Sequence, residues 1–76
     1  MPSLRQVPGQ DAVRALERLG FKVVRTRGSH VVLRKETPDG PVGCVIPLHR
    51  VLAVGTLRSA LRQARVTAEE FVAVLS

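Results

Sequence analysis

An α+β fold in the order α-β-β-β-α, with a short helix added at the C-terminus, is predicted by three observations. Apolar residues recur at helical spacing near both ends of the chain, as Ala12, Val13, Leu16 and Leu19, and as Leu57, Ala60, Leu61 and Ala64. Between them lie three runs rich in β-branched residues, separated only by short turns. At 76 residues and 45% apolar composition the chain has material for one modest core, so a single domain over 1–76 is expected.

The elements follow in order. Residues 1–9, with Pro2, Pro8 and Gly9, read as an extended lead-in. A helix is predicted from Gln10 to Leu19, with Arg14, Glu17 and Arg18 on its polar side and Gly20 as a left-handed stop. Phe21–Thr26 is a strand, Arg27-Gly28-Ser29 a turn, and His30–Lys35 a second strand. Glu36–Pro41 carries Pro38 and Asp39-Gly40 and reads as a turn, leading to a third strand over Val42–Ile46 that Pro47 closes. Thr56 is a candidate cap for a helix from Leu57 to Ala64 or Arg65. Thr67 with Glu70 forms a capping box for the last helix, with Phe71, Val72 and Leu75 facing inward.

Short connections make the strands an antiparallel meander with both main helices on one face. Pairing Lys35 with Val42 sets Val31 opposite Ile46, Leu33 opposite Cys44 and His30 opposite Pro47. The apolar side chains then share one face, and His30, Val32 and Arg34 share the other. His49 falls just past the strand end on the same edge. The residues do not set the register of the first hairpin.

Charge narrows the partner. Twelve Lys and Arg against six Asp and Glu give a formal +6, and the cations are clustered. Lys22, Arg25 and Arg27 share a strand, Arg34 and Lys35 the next, and Arg58, Arg62 and Arg65 one helix edge. A polyanion such as RNA explains that clustering better than solubility does. No stretch approaches the roughly 20 apolar residues of a membrane span, and the N-terminus has no signal-peptide run. A cytoplasmic protein without a membrane partner is expected, in keeping with a lone cysteine, Cys44, read as a buried apolar residue.

His30, directly after the Gly28-Ser29 turn, is the candidate for proton transfer. Cleaving RNA without a metal needs a base at the 2′-hydroxyl, an acid at the leaving 5′-oxygen and cations around the phosphorus. His30 suits either proton role. Arg25, Arg27, Arg34 and Lys35 supply charge, and the Gly28 and Ser29 amides suit a phosphate. His49 is an accessory candidate, with the competing reading that its imidazole satisfies loop backbone. The Arg58/Arg62/Arg65 edge is either a phosphate surface or a solvated face. Two histidines and one cysteine at irregular spacing do not make a zinc site, and neither metal nor cofactor is expected. Ser29 lacks a nearby carboxylate, which excludes a hydrolase triad.

The runs G-F-K-V-V-R-T-R-G-S-H (20–30), V-I-P-L-H (45–49), G-T-L-R-S-A-L-R-Q-A (55–64) and T-A-E-E-F (67–71) resemble the HicA, or YcfA-like, toxin family. The resemblance runs from about Gly9 to Leu75. It implies a double-stranded-RNA-binding-domain-like fold, a metal-independent mRNA interferase of a type II toxin–antitoxin system, and neutralisation by a HicB antitoxin. It also implies that His30 is catalytic, within a motif matched by Gly28 and Ser29. The segment Arg50–Val54 departs from the family pattern, which is more polar there and often has a proline before the glycine. Those apolar residues suit contact with an antitoxin. The alternative to a nuclease is a non-catalytic RNA-binding module in which His30 and the arginines only contact phosphate. A third reading is an interaction protein whose basic face docks an acidic antitoxin.

Overall fold

The computed structural model describes residues 3–75. Its elements are α1 (Gly9–Arg18), β1 (Lys22–Arg27), β2 (His30–Thr37), β3 (Gly40–Pro47), α2 (Val54–Ala64) and α3 (Ala68–Val74). The order is the expected one, and the strands form an open antiparallel sheet, β1-β2-β3.

The second hairpin has the register anticipated from turn length, with Lys35 opposite Val42, Leu33 opposite Cys44, Val31 opposite Ile46 and His30 opposite Pro47. Both strands run further toward the turn than composition suggests. Glu36 pairs with Pro41 and Thr37 with Gly40, leaving only Pro38 and Asp39 as the loop. The Thr37 hydroxyl donates to the Gly40 carbonyl and accepts from the Asp39 amide, which holds this tight connection together.

The core lies on one side of the sheet. Val31, Leu33, Cys44 and Ile46 pack there with Ala12, Ala15 and Leu16 of α1, Leu57, Ala60, Leu61 and Ala64 of α2, and Phe71 of α3. The lead-in contributes more than a connection. Its first two residues lie outside the described ones, but Leu4 and Val7 are buried in the core, and the Leu52 amide donates to the Val7 carbonyl at 2.7 Å.

Helices α1 and α2 end in the same way. In α1, the Phe21 amide donates to the Leu16 carbonyl and the Gly20 amide to the Glu17 carbonyl, with Gly20 at φ 98°. In α2, Val66 donates to Leu61 and Arg65 to Arg62, with Arg65 at φ 58°. Each is a Schellman ending with an apolar pair, Phe21 with Leu16 and Val66 with Leu61, drawn over the last turn. Glycine takes the left-handed position in one helix and arginine in the other.

One expectation needs correcting. Helix α2 begins at Val54, three residues before Leu57, and its N-cap is Ala53, which makes no side-chain cap bond. Thr56 therefore lies inside the first turn and does not cap it. Leu52 is buried and tied to Val7, so packing of the preceding loop, rather than a capping side chain, sets where the helix starts. The Thr67–Glu70 capping box is present with both reciprocal bonds.

Candidate functional site

The helices leave one sheet face uncovered, and its residues follow from register. On β2, His30, Val32 and Arg34 point away from the core, because Val31 and Leu33 between them are buried. On β1 the spacing of Lys22, Arg25 and Arg27 would split these cations between two faces of a regular strand. An irregularity between Val23 and Arg25 inserts one residue, so that Lys22 opposes Arg34, Arg25 opposes Val32 and Arg27 opposes His30. All three cations reach the uncovered face through that bulge.

The Gly28-Ser29 loop turns the chain in two residues. Gly28 sits at φ 58° as the first central residue, the position where a tight hairpin of this length needs a glycine. His30, the next strand residue, is exposed. Among the described residues, the side chains of Arg25, Arg27 and His30 hold no hydrogen bond or ion pair within the chain.

The loop after β3 is fastened to this turn. The Leu48 amide donates to the Ser29 carbonyl at 2.6 Å, and the Gly9 amide donates to the His49 carbonyl at 2.9 Å. A Cβ on Gly9 would overlap the Pro47 carbonyl oxygen, so glycine is what lets α1 start this close to the loop. His49 is exposed and lines a hollow with Pro8, Gln10, Leu48 and Arg50. Main-chain bonds from Leu48 and Gly9 hold the loop in place, and among the described residues the His49 imidazole makes no hydrogen bond.

The cations selected from the sequence separate into groups. Arg34 is on the His30 face but pairs through Nε with Glu36 at 2.9 Å, an exposed contact of small net worth. Lys35 belongs to the opposite phase of β2. It is half-buried, donates from Nζ to the Leu19 carbonyl at 2.8 Å and sits 5.7 Å from the Phe21 ring centroid. Lys35 thus joins the packing of α1 against the sheet and does not join the arginine cluster. Arg58 and Arg62 line a different hollow with Leu4, Val66, Ala68 and Glu69.

In their place the structure brings Val32 and Val45 to the uncovered face, and Val24 and Gln63 line a groove with them and with Arg25 and Arg34. Strand alternation carries the signal for Val32 and Val45. Gln63 has none, because its position depends on how α2 lies along β3. Cys44 is buried on the core side, and burial pushes its thiol up to about 11, so it is protonated near neutral pH.

A family profile described as "HicA toxin of bacterial toxin-antitoxin" matches residues 9–66. The chain belongs to the HicA toxin family. The match spans α1 through the end of α2, and so takes in the Gly28-Ser29-His30 turn and the loop stitched to it. Membership in the HicA family implies an antitoxin partner. No curated protein matches the chain closely enough to count as a relative. Among the described residues, no helix of this HicA chain is long and apolar enough to cross a membrane.

Proposed function

We propose that this HicA-family toxin is an endoribonuclease that cleaves mRNA without a metal ion, with His30 carrying proton transfer. The observation that supports this reading is the pairing of exposed His30 with Arg27, beside Arg25, on the sheet face that the helices leave bare. The net charge of +6 favours an RNA approaching that face.

In such a reaction the 2′-oxygen attacks phosphorus as it loses its proton, and the bond to the 5′-oxygen breaks as that oxygen gains one. The products are a cyclic phosphate and a 5′-hydroxyl. His30 serves one of these two proton transfers, and His49, joined to the same turn through Leu48, is the accessory candidate for the other. Arg25 and Arg27 balance the charge that builds on the phosphoryl oxygens, with the Gly28 and Ser29 amides as neighbouring donors. Arg34 adds to this field once Glu36 releases it. Arg58 and Arg62 meet more distant phosphates of a long RNA. A HicB-type antitoxin in the same cytoplasm blocks RNA by covering His30.

The test uses wild type and His30→Ala with a long RNA in EDTA, read on a denaturing gel. Fragments are expected from wild type alone, and undiminished cutting by the variant would remove His30 from the mechanism. Loss of wild-type cutting in EDTA, restored by a divalent cation, would end metal independence. Retardation of RNA by both proteins with no cutting would favour a binding module.

A further inference from the structure

We propose that the groove beside His30 is a nucleotide subsite, in which one unpaired RNA base lies on Val32 and Val45 and is read by Gln63. This rests on the RNA-cleaving function proposed above, and extends it from the scissile phosphate to the neighbouring base.

The groove has a volume of about 490 Å³, with Val32 and Val45 as its floor, Arg25 and Arg34 on its rim and Gln63 at the α2 side. Val32 and Val45 are directly paired across β2 and β3, so their side chains form one continuous apolar surface. Val45 is 43% exposed. The next pair along, Arg34 and Gly43, leaves the floor open. A Cβ on Gly43 would meet the Leu33 carbonyl oxygen at 2.5 Å, so the backbone itself demands the residue that keeps this end free.

Position ties the groove to the chemistry. Val32 is two residues from His30 on the same strand face, a step of roughly 7 Å. A phosphate held by Arg27 at His30 therefore delivers an adjoining base to the Val32–Val45 pair. An apolar floor accepts the face of a base, the guanidinium groups of the rim accept its phosphates, and a carboxamide offers both a donor and an acceptor to its edge. Unpaired bases are the parts of RNA that protein side chains read in this way. A protein partner fits less well: a few exposed valines fall far short of the roughly 800 Å² per side of a standard protein interface.

Two measurements test the subsite. Methyl resonances of Val32 and Val45 are followed in His30→Ala while RNA hexamers of A, C or U are added. The preferred flanking base is then mapped by sequencing the cuts made by wild type, Gln63→Ala and Arg25→Ala. Both valines should shift with RNA, and Val45→Glu, at an exposed position, should abolish the response at Val32 while thermal melting stays cooperative. Gln63→Ala should shrink the ratio between best and worst flanking bases by about fivefold or more, as expected for loss of one base-reading side chain. Arg25→Ala should slow cutting at every site alike.

Silent valines with shifts confined to other regions would overturn the subsite, as would an unchanged base preference in Gln63→Ala. So would valines that respond to an acidic antitoxin but not to RNA. Valine shifts in a protein that cuts nothing would keep the subsite and sink the nuclease. Cutting with silent valines would do the reverse.

Discussion

The Leu48 amide and the Ser29 carbonyl, 2.6 Å apart, form the bond that carries β3 past its terminal proline and onto the turn preceding His30. Pro47 has no amide proton to offer, so Leu48 is the first residue after it able to hold the Gly28-Ser29 loop. The turn that precedes His30 is therefore held by a loop nearly twenty residues further along the chain. Replacing Leu48 with proline removes that donor and leaves the Ser29 carbonyl to solvent. Stability should fall by about 1 kcal/mol. RNA cleavage should fall by roughly tenfold or more, because small misplacements of a reacting group are costly in rate, while gel retardation changes little. A variant cutting at the wild-type rate would show that this bond does not position His30.

Lys35 and Arg27 make opposite predictions although both are cations on neighbouring strands. Lys35→Ala loses a charge-assisted bond to the Leu19 carbonyl and a contact with the Phe21 ring. It should destabilise by about 1–3 kcal/mol and leave the salt dependence of RNA binding unchanged. Arg27→Ala should leave stability within about 0.5 kcal/mol of wild type and flatten the slope of log affinity against log salt by about 0.7. Denaturant melts and retardation gels over a salt series measure both. The reverse pattern would refute the division between packing and RNA-facing cations.

The two Schellman endings predict a stabilising substitution. Arg65 holds a left-handed conformation in which its Cβ is strained, whereas Gly20 fills the equivalent position in α1 without strain. Arg65→Gly should raise stability by about 0.5–1 kcal/mol, the steric relief exceeding the entropy that glycine loses on folding. Gly20→Ala should lower it by at least about 1 kcal/mol. Thermal melts of both variants decide the point, and a destabilised Arg65→Gly would contradict it.

Glu70 gives the acid limb of stability a local cause. Its carboxylate is held below the ordinary range first by the Thr67 backbone amide, at 2.9 Å, and then by the Thr67 hydroxyl. A carboxylate with a lowered folded-state pKa contributes fully above its unfolded value and loses that contribution as pH falls through the folded one. The melting temperature should therefore decline as pH drops through the acidic carboxylate range, and Glu70→Gln should decline less steeply. Identical slopes would mean that the capping box has no part in the acid response.

Much of this molecule is legible from local chemistry. The apolar stripes of α1 and α2, the Gly20 stop, the capping box at Thr67 and the register of the second hairpin all depend on residues close together in the chain. A short turn fixes which residues face each other, and a period of two then assigns every side chain of β2 and β3 to a face. That reasoning is enough to set His30 apart from the core. Other features require distant parts of the chain to meet. The β1 bulge assembles Lys22, Arg25 and Arg27, yet nothing in Lys22–Arg27 marks where the extra residue falls. The early start of α2 reflects the anchoring of Leu52 on Val7, and Gln63 comes to the groove through the lie of α2 along β3. Lys35 stands beside Arg34 in sequence and on the opposite side of the sheet in space. Strand periodicity assigns a residue to a face, but only packing determines which cations find partners inside the molecule and which remain for a ligand.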